Sequence, residues 1–150
     1  MVGPSSELSM RAFFATTIAV AHLFNLSPMI LHRIFYLESG YGEVLESSTG
    51  CCFGPGHVNA KEWGVSQELL LEPGPSVICS AQIFRFMLDR YDGDTRKAVA
   101  AYTAGHGTID RLTTKYGASW FKYIEPHYQK YVNFVLQRPS AGTLRRVVYY

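Results

Sequence analysis

The chain has 150 residues, of which 47% are hydrophobic and 17% charged, and a formal net charge of +2. That length suits one compact domain with a real core, and the balance excludes both a disordered segment and a strongly nucleic-acid-binding one. Cys51, Cys52 and Cys79 are too few, and odd in number, for a disulfide framework. One bridge from Cys79 to Cys51 or Cys52 fits an oxidising space, and free buried thiols fit any other.

In chain order, the first apolar stretch is Ala12 to Phe24. It is too short to span a bilayer, carries His22, and follows Glu7 and Arg11 in place of a clean basic start, so neither a signal peptide nor stable membrane insertion is expected. Phe14, Ile18 and Ala21 recur at helical spacing beside Phe13, Thr17 and Phe24, which predicts a first core helix. A second helix starts with Ser27 as cap and Pro28 in its first turn, and Met29, Ile30, Leu31, Ile34, Phe35 and Leu37 supply its buried side. It ends at Glu38 to Gly40. Glu38 lies four residues after Ile34 and seven after Leu31, on the stripe that faces a core. A charge there is costly without a partner, and the negative end of the helix dipole also favours the protonated carboxyl.

Tyr41 to Gly56 is dense in Gly, Ser and Cys, which reads as a long functional loop. A short helix follows over Asn59 to Trp63, closed by Gly64. Ser76 is expected to cap the clearest helix, in which Val77, Ala81, Phe84, Leu88 and Tyr91 share a face. After a turn at Tyr91 to Asp94, Asp94 or Thr95 caps an alanine-rich helix, Arg96 to Ala104, which Gly105-His106-Gly107 stops. Thr108 to Leu112 forms a short helix, Trp120, Phe121 and Ile124 a further apolar cluster, and Pro126 opens a last helix with Tyr128, Tyr131, Val132 and Val135 on one face. The domain is expected over residues 1–137, with residues 138–150 as a tail that either pairs as a strand or belongs to a longer protein. Strand periodicity is otherwise absent, so the fold class is mostly α.

Several chemistries drop out. Gly54-Pro55-Gly56 and Gly105-His106-Gly107 lack the Gly-Lys-Ser/Thr and preceding strand of a phosphate loop. Cys51, Cys52, His57 and His106 have ligand atoms but not the paired spacing of a metal site, and no His-Glu-x-x-His or Gly-x-Ser-x-Gly occurs, so no metal and no cofactor is expected. Arg138, Arg145 and Arg146 read as a solvated tail, with no nucleic-acid partner.

What remains is the helix-terminal glutamate, the glycine loop after it, and the helix ending Ala101-Tyr102-Thr103-Ala104-Gly105. In order and spacing these resemble the lytic transglycosylase family, the soluble-lytic-transglycosylase-like branch of the lysozyme superfamily. Glu38-Ser39 falls on the family's Glu-Ser at a helix end. Ser48 with Gly54-Pro55-Gly56-His57-Val58 falls on its serine loop and Gly-Leu-Met-Gln or Gly-Pro-Met-Gln motif with one residue inserted. Ser76-Val77-Ile78-Cys79-Ser80 falls on Asn-Ile-x-x-Gly, Ala101-Tyr102-Thr103-Ala104-Gly105 on Ala-Tyr-Asn-Ala-Gly, and Tyr131-Val132-Asn133-Phe134-Val135 on Tyr-Val-x-x-Val. His57 stands where the family has glutamine and Thr103 where it has asparagine; Ser76 and Ser80 replace the third motif's asparagine and glycine. All four can still hydrogen-bond or pack small.

The resemblance implies a lysozyme-like catalytic domain that cleaves the β-1,4 bond between N-acetylmuramic acid and N-acetylglucosamine, leaving 1,6-anhydro ends. It implies Glu38 as the catalytic acid and then base, and Ser39, Ser48, Gly54, His57, Tyr102, Thr103 and Tyr131 as substrate-binding residues. Most glycosidases use a second carboxylate, for which Glu43, Glu46 and Glu62 are poor candidates; the family's substrate acetamido group takes that role. The implied partner is the peptidoglycan glycan strand in the periplasm or envelope; a monomeric domain is expected, and, without a convincing export signal, delivery by phage lysis, a virion or a secretion apparatus is expected by elimination. Two alternatives stay open: a goose-type-like hydrolase that admits water, and a non-catalytic glycan-binding or virion or secretion-complex protein on the same fold.

Overall fold

A computed structural model of the chain describes residues 5–137; the tail, with the strand considered for it, lies outside the described residues. The fold is mostly α, as expected: α1 (Ser5–Leu23), α2 (Pro28–Ser39), β1 (Cys52–Phe53), β2 (Val58–Asn59), α3 (Ala60–Trp63), α4 (Gln67–Leu71), α5 (Pro73–Arg90), α6 (Thr95–Ala104), α7 (His106–Tyr116), a 3-10 segment (Gly117–Tyr123) and α8 (Pro126–Val135). Two compact units divide between Gln82 and Ile83, inside α5.

In the first unit α1 packs against α2. Its buried line is Thr17, Val20 and Ala21, while Ile18, expected on that face, is 43% exposed. One helical step past Thr17 turns Ile18 about 100° away from the contact, and the line is completed instead by Phe13, whose ring meets Phe35 at 5.5 Å, and Phe14, edge-on to His32 at 4.9 Å. The Thr17 hydroxyl is satisfied by donating to the Phe13 carbonyl at 2.9 Å. Among the described residues no helix is long and apolar enough to cross a membrane. In α2 the Ser27 hydroxyl accepts from the Ile30 N–H, Pro28 sits in the first turn, and Leu31, Ile34, Phe35 and Leu37 are buried. Met29, expected among them, is 53% exposed, because the first turn points it off the stripe.

The loop after α2 folds back as a minimal antiparallel hairpin, Phe53 opposite Val58, extended by a bridge from Phe53 to Glu46. Left-handed Gly64 ends α3, as expected, while Asn59, expected as its first residue, is its cap and accepts from the Glu62 N–H. The five-residue α4 was not anticipated, being too short for periodicity to register; its signal was Ser66, whose hydroxyl accepts from the Leu69 N–H. α5 starts at Pro73, not after Ser76. A first turn needs no N–H partners, so Pro73 and Pro75 both fit there. Ser76, expected as the cap, instead donates to the Pro73 carbonyl at 2.9 Å.

In the second unit Asp94 caps α6 through the Lys97 N–H at 3.1 Å, and α6 packs against α7 and α8. The alanines Ala98, Ala100 and Ala101 are buried, which allows close approach. α7 is longer than expected: Gly105, at φ 89°, breaks the chain direction alone, and His106-Gly107 already belongs to the next helix. Ile109, Trp120, Tyr131, Val132 and Val135 complete this unit's core, and the Gln129 amide lies 2.9 Å from the Phe121 carbonyl and 3.2 Å from that of Ile124, tying α8 to the 3-10 segment.

Candidate active site

Glu38 occupies the last turn of α2, beyond the fully buried Ile34 and Leu37. Its side chain is drawn in with them and is 12% exposed. The helix then ends sharply, since Gly40 adopts φ 62° and its N–H returns to the Tyr36 carbonyl at 3.0 Å. Tyr41 is left-handed as well, at φ 61°, a strained setting for a residue with a Cβ. Its ring is gripped edge-on by Phe14 at 5.0 Å and lies against Tyr36 at 5.2 Å.

Ser39 is fully buried. Its hydroxyl donates to the Phe35 carbonyl at 3.1 Å and accepts from the Gly42 N–H at 2.7 Å. The structure therefore places this residue in the backbone of the helix-to-loop turn. Ser48 is exposed on the loop. Gly54 is buried at φ 82°, and a Cβ there would stand 2.3 Å from the Leu70 carbonyl oxygen and 3.2 Å from the Ser76 Cβ. Only glycine fits, because the hairpin backbone lies directly on the end of α4.

That contact seats the hairpin, and with it His57. The His57 N–H bonds the Gly54 carbonyl at 3.0 Å, and its φ of 44° is again left-handed. The imidazole, 3% exposed, has Nε2 2.7 Å from the Val44 carbonyl oxygen and Nδ1 3.8 Å from Glu38 Oε2. Val44 is itself held by its N–H on the Ser39 carbonyl at 3.0 Å. Burial pushes the imidazole below its ordinary value of 6.5, an effect the Val44 carbonyl partly opposes. Glu38, Ser39, Gly54 and His57 are thus gathered in one turn-and-hairpin arrangement, in which Ser39 and Gly54 position and His57 faces the carboxyl. The Val44 carbonyl, which fixes the ring, is a backbone group with no side-chain signal in the sequence.

Tyr102 and Thr103 lie half-buried on α6, and Tyr131 is fully buried on α8, all in the second unit. The bridge considered between Cys79 and the loop is not the one present. Cys51 and Cys52 are joined to each other, which removes both sulfurs from metal ligation, and Cys79 is a free, buried thiol on α5. Burial raises the Cys79 thiol's pKa, so it is an inert packing group.

A solved structure of an inactive mutant of the lytic transglycosylase Slt from Pseudomonas aeruginosa resembles this chain with a TM-score of 0.69 over 89% of its length, at 20% identity. The chain covers 23% of that protein. The shared fold is the mostly α, lysozyme-like one. A family model described as "Transglycosylase SLT domain" matches residues 16–124, a stretch that contains Glu38, His57, Tyr102 and Thr103. Because that match takes in well over half of the sequence, the chain belongs to the transglycosylase SLT domain family.

Proposed function

We propose that this chain is a peptidoglycan lytic transglycosylase in which Glu38 is the acid and then the base. The observation that carries the reading is the setting of Glu38: a carboxyl 12% exposed at a helix C-terminus, facing an imidazole nitrogen at 3.8 Å, inside a transglycosylase family domain. Such a site supports a carboxyl that still holds its proton near neutral pH, which protonation of a leaving oxygen requires.

The steps balance without water. Glu38 gives its proton to the glycosidic oxygen, the C1–O bond to the leaving sugar breaks, and the substrate's acetamido oxygen stabilises the oxocarbenium-like centre. Glu38, now a carboxylate, takes the proton of the muramoyl 6-hydroxyl as that oxygen bonds to C1. The product is a 1,6-anhydro ring and the acid is regenerated. Glu43, Glu46 and Glu62 are all exposed, which supports this substrate-assisted route over a hydrolase built on two carboxylates. Sugar contact by Ser48, Tyr102 and Thr103 belongs to the same proposal, with the glycan strand of the cell envelope as substrate; the buried His57 and Tyr131 would act on the site from beneath it.

Mass spectrometry of digested cell wall tests the reading. Anhydromuropeptides are expected, and Glu38→Gln should abolish them while leaving thermal stability unchanged or higher. Reducing ends in their place would point to hydrolysis. No products from a folded preparation, or full activity in Glu38→Gln, would sink the proposal.

A further inference from the structure

The family resemblance gives residue 57 a place in the sugar groove, but the geometry gives this histidine a different task. A carbonyl oxygen only accepts, so the 2.7 Å contact between Nε2 and the Val44 carbonyl requires the proton to be on Nε2. In the neutral ring Nδ1 is then a bare lone pair, and it is this atom that stands 3.8 Å from Glu38 Oε2. With the two side chains 3% and 12% exposed, bulk water is a poor substitute partner for either atom. A bare nitrogen facing a carboxylate is repulsive, whereas the same nitrogen facing a carboxylic acid is an acceptor for its proton. The separation is longer than a formed hydrogen bond and is of the kind that tightens when an active site closes on substrate.

We propose that His57 is a positioning residue: its Nδ1 lone pair, locked toward Glu38 by the Val44 carbonyl, holds the carboxyl in its protonated, acid-competent form. This rests on the reading of Glu38 as the acid–base. The backbone supports that aim. His57 is held left-handed at φ 44° by the Gly54 carbonyl, and Gly54 in the same hairpin lies too close to the Leu70 carbonyl to accept a Cβ.

Of the other titratable groups of these elements, His32 of α2 stands edge-on to Phe14 and is lowered by burial. Arg33 and Tyr36 of α2 act on Tyr41. Glu43 and Glu46 on the loop, Lys61 and Glu62 of α3, Glu68 of α4 and Glu72 after it, and Arg11 and His22 of α1 are exposed. What shifts the imidazole is its own burial, so it stays neutral at neutral pH. On acidification Nδ1 gains a proton, the neighbouring cation makes Glu38 a weaker base, and the second half of the reaction slows. The wild-type rate therefore has an acid-side inflection below 6.5, the ordinary imidazole value.

The test compares wild type, His57→Leu, His57→Gln and Glu38→Gln on purified peptidoglycan across pH, with anhydromuropeptides quantified. His57→Leu, which keeps bulk and removes both the acceptor and the donor to Val44, should lower kcat by about 10–100-fold, the fold-change of one lost hydrogen bond to an ionisable group. His57→Gln should recover part of that, since an amide can still accept, and its profile should lack the acid-side inflection. Equal rates in the Leu and Gln variants, or the inflection persisting in His57→Gln, would overturn the proposal. Cleavage that survives in Glu38→Gln would instead remove the acid–base reading beneath it. Nitrogen-15 NMR of the ring reads the positioning with or without turnover: a neutral Nε2–H tautomer whose Nδ1 resonance moves on Glu38→Gln is expected, and an Nδ1–H tautomer or an unmoved resonance overturns it.

Discussion

The seat of the hairpin is tested by Gly54→Ala. The new Cβ would meet the Leu70 carbonyl oxygen at 2.3 Å and its carbon at 3.3 Å, both main-chain atoms at the end of α4, so no side-chain rotation relieves the clash. Two costs add. Holding a residue with a Cβ in the left-handed region costs about 1–2 kcal/mol, and forcing the backbones apart costs about 1–3 kcal/mol. The smaller unfolded-state entropy of alanine offsets about 0.4–1 kcal/mol, leaving a net loss of roughly 1–5 kcal/mol against a typical total stability of about 5–15 kcal/mol. Gly64→Ala is the internal control. Gly64 has a similar φ, 65°, but nothing within 4 Å of the added Cβ, so only the conformational cost of about 1 kcal/mol applies. Urea titrations of the three proteins at one temperature give the comparison. Equal losses at the two positions would refute the argument that the close approach to Leu70, and not backbone conformation, makes Gly54 obligatory.

Ser39→Ala removes both bonds of a fully buried hydroxyl and leaves the Gly42 N–H unsatisfied, so a loss of about 1–3 kcal/mol is expected in the same titration; a change under half of that would mean that the turn re-forms without it. In the second unit, the Arg90 hydrogen bond, helped by Tyr91, holds the Asp110 carboxyl below its ordinary value of 3.8. A depressed carboxylate stabilises the fold above its unfolded pKa and loses that contribution as pH falls through its folded one. Asp110→Asn should therefore flatten the fall in melting temperature below pH 3.8, as followed by circular dichroism; an unchanged slope would show that other carboxylates govern acid unfolding.

The parts of the fold that were legible in the sequence are those fixed by local chemistry. Ser27 with Pro28, Asn59 with Gly64, and Asp94 each mark a helix end that an unpaired N–H or a left-handed residue explains, and the structure puts the ends there. Misplaced boundaries arose where one residue type serves two purposes. Ser76 looks like a cap, but two prolines ahead of it already satisfy the geometry of a first turn. Gly105-His106-Gly107 looks like a stop of three residues, but Gly105 makes the turn unaided. Ile18 has the right spacing for a buried face, yet the face is chosen by the partner helix, which periodicity does not contain. In the site, Glu38 could be placed from its register with Leu31 and Ile34. The direction of His57 could not, because it depends on a backbone carbonyl thirteen residues away and on a hairpin whose two-residue strands are too short to leave an alternating pattern.

That dependence explains why a single side chain can change the chemistry of this loop without disturbing it. The position of residue 57 is set by main-chain features: Gly54 on Leu70, the left-handed turn, and the Ser39 clamp that fixes Val44. The side chain then decides what is presented to Glu38 and whether the Val44 carbonyl is satisfied. An amide presents a donor or an acceptor to either state of the carboxyl, so it is indifferent to the proton. An imidazole already bonded through Nε2 presents a lone pair when neutral and an N–H when charged. In the proposed reaction the acid's proton is then governed from residue 57 as well as from the helix end that carries the glutamate.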